Sequence, residues 1–164
     1  AIARRGFYGF NMNIVYHNRR EKPELAEPLK AQYLGLDELL QQSDFVVTAV
    51  DLNNESKALM GKAQFEIMQK HAIFINIARG SVVDEQALIE ALQSGEIFGA
   101  GLDVYEKEPL QDSELFKLPN VVTLPHVGSA TAETRKKMAN LAYKNLVEAL
   151  EDKTPRYLVN PNFA

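Results

Sequence analysis

The stretch "AIFINIARGSVVDEQALIEALQSGEIFGAGLDVY", residues 72–105, decides the fold. It opens on a near-continuous apolar run, AIFINIA (72–78), turns through Arg79 and Gly80, and enters DEQALIEALQSG (84–95). There Asp84 is placed to cap a helix, Ala87, Leu88, Ala91 and Leu92 share one face, and Gly95 stops it. GAGLDVY (99–105) reads as the next strand. A strand that is apolar throughout, rather than alternately, is buried on both faces, as in parallel sheets covered by helices. Strand, helix and strand in this order form a right-handed βαβ unit.

The same alternation runs through the rest of the chain. NIVYH (13–17), AQYLG (31–35), DFVVTAV (44–50) and VVTL (121–124) read as strands. LDELLQQS (36–43), KAQFEIMQ (62–69) and a long segment from about Thr131 to Leu150 read as helices. The last of these carries Met138, Leu141, Ala142, Leu146, Ala149 and Leu150 on one side. AIARRG (1–6) has the character of a helix end, with two arginines suited to the negative pole and Gly6 suited to the stop. The expected architecture is α/β: a doubly wound parallel, Rossmann-like nucleotide-binding domain over residues 1–152, followed by a polar tail, 153–164. That tail is expected to pack elsewhere or to stay mobile.

Composition narrows the function classes. The 164 residues suffice for one domain with a core, and 46% apolar with 24% charged residues is ordinary for a globular protein. A formal charge of −4 and a pI near 5.4 argue against general nucleic-acid binding. With no cysteine there is neither a disulfide framework nor a thiolate metal site, and no metal ligand set is read. No apolar run is long enough to span a bilayer as a helix, and a reducing, cytoplasmic setting is expected.

Open parallel sheets bind ligands beyond the carboxyl ends of their strands. Three successive tips carry chemistry: Arg79 after 72–78, Asp103 with Glu106 and Glu108 around 99–109, and His126 with Gly128 after 121–124. His71, between a helix and a strand, reads as a solvated turn residue. An arginine or a histidine alone at such a place is ordinary surface. The succession is what points to carboxylate binding and proton transfer.

The motifs FINIARGSVVDEQALIEALQSGEIFGAGLDVYEKEP (74–109) and NVVTLPHVGSAT (120–131) closely resemble the D-2-hydroxyacid dehydrogenases, and within that family the tip YHNRR (16–20) resembles that of bacterial glyoxylate/hydroxypyruvate reductases. By that resemblance Arg79, Glu108 and His126 stand where the family has its catalytic Arg, Glu and His. Asp103 stands where the nicotinamide carboxamide is bound, Ile77, Ala78 and Gly128 where backbone approaches the cofactor, and Val50 beside its ribose and nicotinamide. The resemblance implies reduction of a small 2-keto acid to the D-2-hydroxy acid by a homodimer, with no role for nucleic acid or membrane. A dinucleotide-sensing corepressor of the same family is the alternative. Asp51 departs from the family, which usually has Pro after the strand 44–50.

Two further expectations come with the family pattern. The tip of NIVYH continues as His17, Asn18, Arg19 and Arg20, where NAD-preferring members carry an Asp that binds the ribose and repels a 2′-phosphate. Histidine plus two guanidiniums inverts that preference, so NADPH is expected over NADH. The G-x-G-x-x-G loop and its strand are absent from the 164 residues, and GFYG (6–9) does not replace them. The chain is therefore expected to be N-terminally truncated, to leave an unfilled place between strands 13–17 and 44–50, and to be inactive alone.

Overall fold

In a computed structural model, residues 1–160 are described, and they form two compact units, Ala1–Pro125 and His126 onward. In the first unit helix α1 (Ile2–Phe10) leads to strand β1 (Val15–Tyr16), the short helix α2 (Pro23–Ala26), β2 (Gln32–Tyr33) and α3 (Leu36–Gln42). Strand β3 (Phe45–Thr48), α4 (Lys62–Glu66), β4 (Ile73–Asn76), α5 (Glu85–Ser94), β5 (Gly99–Leu102) and β6 (Val121–Thr123) complete it. Every pairing is parallel. The second unit contains helix α6 (Ala132–Leu150), capped by the Thr131 hydroxyl, which accepts from the Thr134 N–H at 3.2 Å. The α/β class read from the alternation is the one observed, and the part of the tail from 161 to 164 lies outside the described residues.

The strands form two sheets rather than one. β1 pairs with β2, and β3, β4, β5 and β6 pair in that order. Among the described residues nothing joins β1 to β3. A cleft of about 760 Å³ opens there, with Ile14 and Tyr16 on one side and Ala49 and Val50 on the other. This is where the unfilled place was expected.

The core lies against one face of the larger sheet. Val46, Phe74 and Ala100 point into a cluster with Leu40 of α3, Phe65 of α4 and Leu88 and Leu92 of α5. Phe65 and Phe74 meet edge to face, with centroids 5.3 Å apart. Burying a side chain such as Phe74 contributes roughly 1.5–3 kcal/mol. The other face is only partly covered: Phe45 and Val122 are exposed, so continuous apolarity overstated the burial of those positions. No residue of α6 is buried, and its apolar face is exposed rather than packed.

Termini of elements follow local chemistry. Asp84 caps α5 by accepting from the Ala87 N–H at 3.1 Å, and Gly95 ends it in the left-handed region at φ 72°. At α1 the expectation fails. The helix runs past Gly6 to Phe10, and Asn11 at φ 53° is the stop, its N–H donating to the Phe7 C=O. Arg4 and Arg5 therefore sit in the body of the helix, and Gly6 is small because Met12 and Ile14 pack against it. His71 is the exposed turn residue expected, and its Nε2 lies 2.6 Å from the Asp44 Oδ1 on the surface.

Gly80 governs how the tips of β4 and β5 approach one another. A Cβ there would lie 1.9 Å from the carbonyl carbon and oxygen of Tyr105 and 2.3 Å from the Glu106 nitrogen. Those atoms are backbone and cannot swing aside. Gly80→Ala is expected to lower stability by about 1–3 kcal/mol, read as a lower denaturation midpoint at constant slope in the longest natural polypeptide that carries this chain. An unchanged midpoint contradicts the close approach.

Candidate functional site

The sheet register places Thr48, Asn76, Leu102 and Thr123 in one row across β3, β4, β5 and β6. This row is the carboxyl edge of the sheet. The strands end here, earlier than their apolar runs, because side chains take over the pairing of the backbone. The Asn76 Oδ1 accepts from the Thr48 hydroxyl at 2.9 Å and from the Ala78 N–H at 3.0 Å. Its Nδ2 donates to the Arg79 C=O at 3.1 Å, and its own C=O accepts from the Asp103 N–H at 3.1 Å.

Arg79 leaves this edge exposed, with Nη1 donating to the Ala78 C=O at 2.6 Å. Ile77 is exposed and Ala78 buried, and Asp103 is nearly buried at the end of β5. Past Asp103, Tyr105 organises the next loop. Its N–H donates to the Glu108 Oε1 at 3.1 Å, and its hydroxyl is shared between the carbonyls of Leu124 at 2.8 Å and Leu102 at 3.1 Å. Burial pushes the phenol above its usual value of 10.0, so it stays a donor at neutral pH. The Glu108–Pro109 peptide is cis. Glu106 uses its N–H on the Glu85 carboxylate at 3.2 Å. Arg79, Asp103 and Glu108 thus come together around Asn76, Gly80 and Tyr105, none of which sequence reasoning had singled out as a site residue. The available signal was Asn76, the one polar residue inside the run AIFINIA.

The second group of expected residues meets in the cleft between the sheets. His17, Asn18, Arg19 and Val50 line it, together with Asp51 and Glu55. Arg20 follows in sequence but is not among the lining residues. His17 is tied into the fold: its Nδ1 donates to the Leu34 C=O at 2.8 Å and its ring stacks on Tyr33. That bond leaves Nε2 for other partners. The Tyr33 hydroxyl in turn donates to the Asn18 C=O at 2.8 Å. Arg19 faces Glu55 at 3.7 Å, both side chains more than two-thirds exposed, a geometry worth little in water. The loop after β3 is closed by its own bonds, the Ser56 hydroxyl donating to the Asp51 C=O at 2.6 Å and the Asn53 Oδ1 accepting from the Glu55 N–H at 2.9 Å. Asp51 therefore enters the loop through its backbone.

His126 and Gly128 belong to the second unit. His126 adopts φ 53°, a left-handed conformation uncommon for a residue with a side chain and frequent at functional sites. A turn follows, with the Ala130 N–H donating to the Val127 C=O at 2.9 Å, before Thr131 opens α6.

Residues 1–128 match the D-isomer specific 2-hydroxyacid dehydrogenase, NAD binding domain. Glyoxylate/hydroxypyruvate reductase B of Citrobacter koseri is 56% identical over all of this chain and 51% of that protein. The protein of the same name from Klebsiella pneumoniae subsp. pneumoniae is 54% identical over 98% of this chain and 50% of that one. The chain spans about half the length of the curated relatives it matches. Among solved structures, the TT0316 protein from Thermus thermophilus superposes with a TM-score of 0.85 at 42% identity, covering 94% of this chain and 48% of that one. A glyoxylate reductase from Paecilomyes thermophila gives 0.81 at 42% identity, covering 92% and 45%. The parallel α/β fold and the family match over residues 1–128 make this chain a member of the D-isomer specific 2-hydroxyacid dehydrogenase family, within its NAD-binding domain.

Proposed function

We propose that the protein carrying this chain reduces a small 2-keto acid of the glyoxylate or hydroxypyruvate type to the D-2-hydroxy acid, with NADPH preferred over NADH. The observation that carries this reading is the joining of the Arg79 and Glu108 loops, through Gly80 and the Tyr105 N–H, at the carboxyl edge of a parallel sheet. Relatives named glyoxylate/hydroxypyruvate reductase B support the substrate class.

Arg79 supplies a planar guanidinium that binds the substrate carboxylate through two parallel hydrogen bonds and polarises the adjacent carbonyl. His126 as imidazolium gives its proton to the carbonyl oxygen, which becomes the hydroxyl. Glu108 stands where the family has the catalytic carboxylate that acts with this histidine. The residues at the tip of β1 fit the adenosine end of a dinucleotide: they follow the carboxyl end of a parallel strand and carry a guanidinium, an amide and an imidazole. The reduced nicotinamide, when bound, supplies the hydride. Asp103, Ile77, Ala78 and Gly128 hold its nicotinamide end, Val50 the neighbouring ribose, and His17 to Arg20 the adenosine end. A cytoplasmic homodimer completes the reading.

The cofactor preference rests on the tip of β1. No carboxylate stands at His17, whose ring is held against Leu34 and Tyr33, and Arg19 has only the weak surface pairing with Glu55 to give up. A hydrogen bond to a charged group contributes roughly 1.5–3 kcal/mol. Replacing Arg19 and Arg20 together by Ala is therefore expected to lower the ratio of kcat/KM for NADPH to that for NADH by about tenfold or more. An unchanged ratio contradicts the assignment.

Turnover itself is tested by mixing the longest natural polypeptide that carries this chain with glyoxylate or hydroxypyruvate and NADPH. Consumption of NADPH with formation of glycolate or D-glycerate is expected, and none from the 164-residue chain by itself, whose two sheets stand apart. Absence of any turnover of 2-keto acids by the longer polypeptide overturns the reading.

A further inference from the structure

We infer that Asn76 is a positioning residue for Arg79, and that the Thr48 hydroxyl completes the network holding its amide. This rests on Arg79 being the group that binds the substrate carboxylate.

The position of Asn76 is unusual for its chemistry. It closes the run Ile73, Phe74, Ile75, its side chain is 1% exposed, and an amide buried there without partners is costly. Two of the bonds its side chain makes fall on the residues that follow. Oδ1 takes the Ala78 N–H and Nδ2 gives to the Arg79 C=O, so one amide spans residues 77–79 from inside. The amide cannot turn over. An N–H can only donate and a carbonyl can only accept, so Ala78 and Arg79 together fix which end is oxygen. The Thr48 hydroxyl then donates to that oxygen from the neighbouring strand, at the same level of the sheet.

Arg79 has a long, flexible side chain, and its aim is decided at its backbone. With its carbonyl held by Asn76 and the next residue, Gly80, pressed against Tyr105, the peptide unit that follows Arg79 is held at both of its ends. A side chain that only filled space at Asn76 would need none of these bonds. The pattern is that of a buried polar network that selects one geometry.

Positioning differs from stability in what it does to kinetics. A smaller folded fraction lowers apparent kcat and leaves KM alone, whereas a displaced Arg79 weakens substrate binding and raises KM. The test uses the longest natural polypeptide that carries this chain, with NADPH and glyoxylate, and compares Asn76→Asp, Thr48→Val and Thr48→Ser with Arg79→Ala. Asn76→Asp keeps the shape and the Oδ1 acceptor but loses the donor to the Arg79 carbonyl. It is expected to raise the KM for glyoxylate about tenfold or more, with the Kd for NADPH changed less than about twofold. Thr48→Val is expected to raise KM in the same direction by about threefold, and Thr48→Ser to restore it. Where Asn76→Asp fails to fold, the Thr48 pair decides alone.

Two failures are separable. If Arg79→Ala raises KM while neither Asn76→Asp nor Thr48→Val does, this inference is overturned and the role of Arg79 stands. If the parent protein turns over no 2-keto acid, or Arg79→Ala leaves KM unchanged, the reading of Arg79 falls and takes this inference with it.

Discussion

Where a parallel strand stops, its last backbone groups lose their ladder partners, and in a buried sheet they must find others. At β4 the partner is the side-chain amide of Asn76. Because β3, β4, β5 and β6 share one register row, the solution adopted at Asn76 propagates sideways: to Thr48 through the hydroxyl, and to Asp103 through the Asn76 carbonyl. The loops that leave this edge are thereby launched from a rigid line of atoms rather than from frayed strand ends. A chemical site can be built on such an edge because the geometry of each loop is set before any ligand arrives.

Two further constraints act on the same edge. Gly80 lets the backbones after β4 and β5 approach closer than any side chain would permit, which brings Arg79 near the loop of Glu108. Tyr105 then ties that loop to the ends of β5 and β6 through one hydroxyl. At the tip of β1 the same economy appears in a different form. His17 works structurally, anchored to Leu34 and stacked on Tyr33, and it puts an imidazole rather than a carboxylate at the tip of β1. Arg19 places positive charge at that tip, on a chain whose net charge is −4, and Glu55 offsets part of it.

Much of this was legible in the residues. The run from Ala72 to Tyr105 carries the strand, cap, helix stop and strand in readable order, since Asp84 and Gly95 act through local backbone chemistry. Arg79, Asp103 and Glu108 were legible because strand tips in a parallel sheet face one way. The supports of the site were not. Asn76 and Tyr105 act on residues two or three positions on and on neighbouring strands, and such bonds leave little imprint on periodicity. Gly80 was passed over because its requirement is the approach of Tyr105, 25 positions away in sequence, and not a special φ. The end of α1 was misread for a related reason: Gly6 looked like a stop, but the left-handed position belongs to Asn11, and the small residue serves Met12 and Ile14. Exposure of α6 was equally invisible, because an apolar stripe marks a face that is buried somewhere without saying against what.

Underlying the whole picture is a single assertion, that the carboxyl edge of these parallel strands receives a dinucleotide whose adenosine end meets the tip of β1. The most direct measurement is a crystal structure of the longest natural polypeptide carrying this chain with NADPH bound. The expected result is the 2′-phosphate within about 3 Å of the Arg19 or Arg20 guanidinium, with the nucleotide lying across the carboxyl ends of the parallel strands. A nucleotide bound elsewhere, or a 2′-phosphate that touches neither arginine, would contradict it.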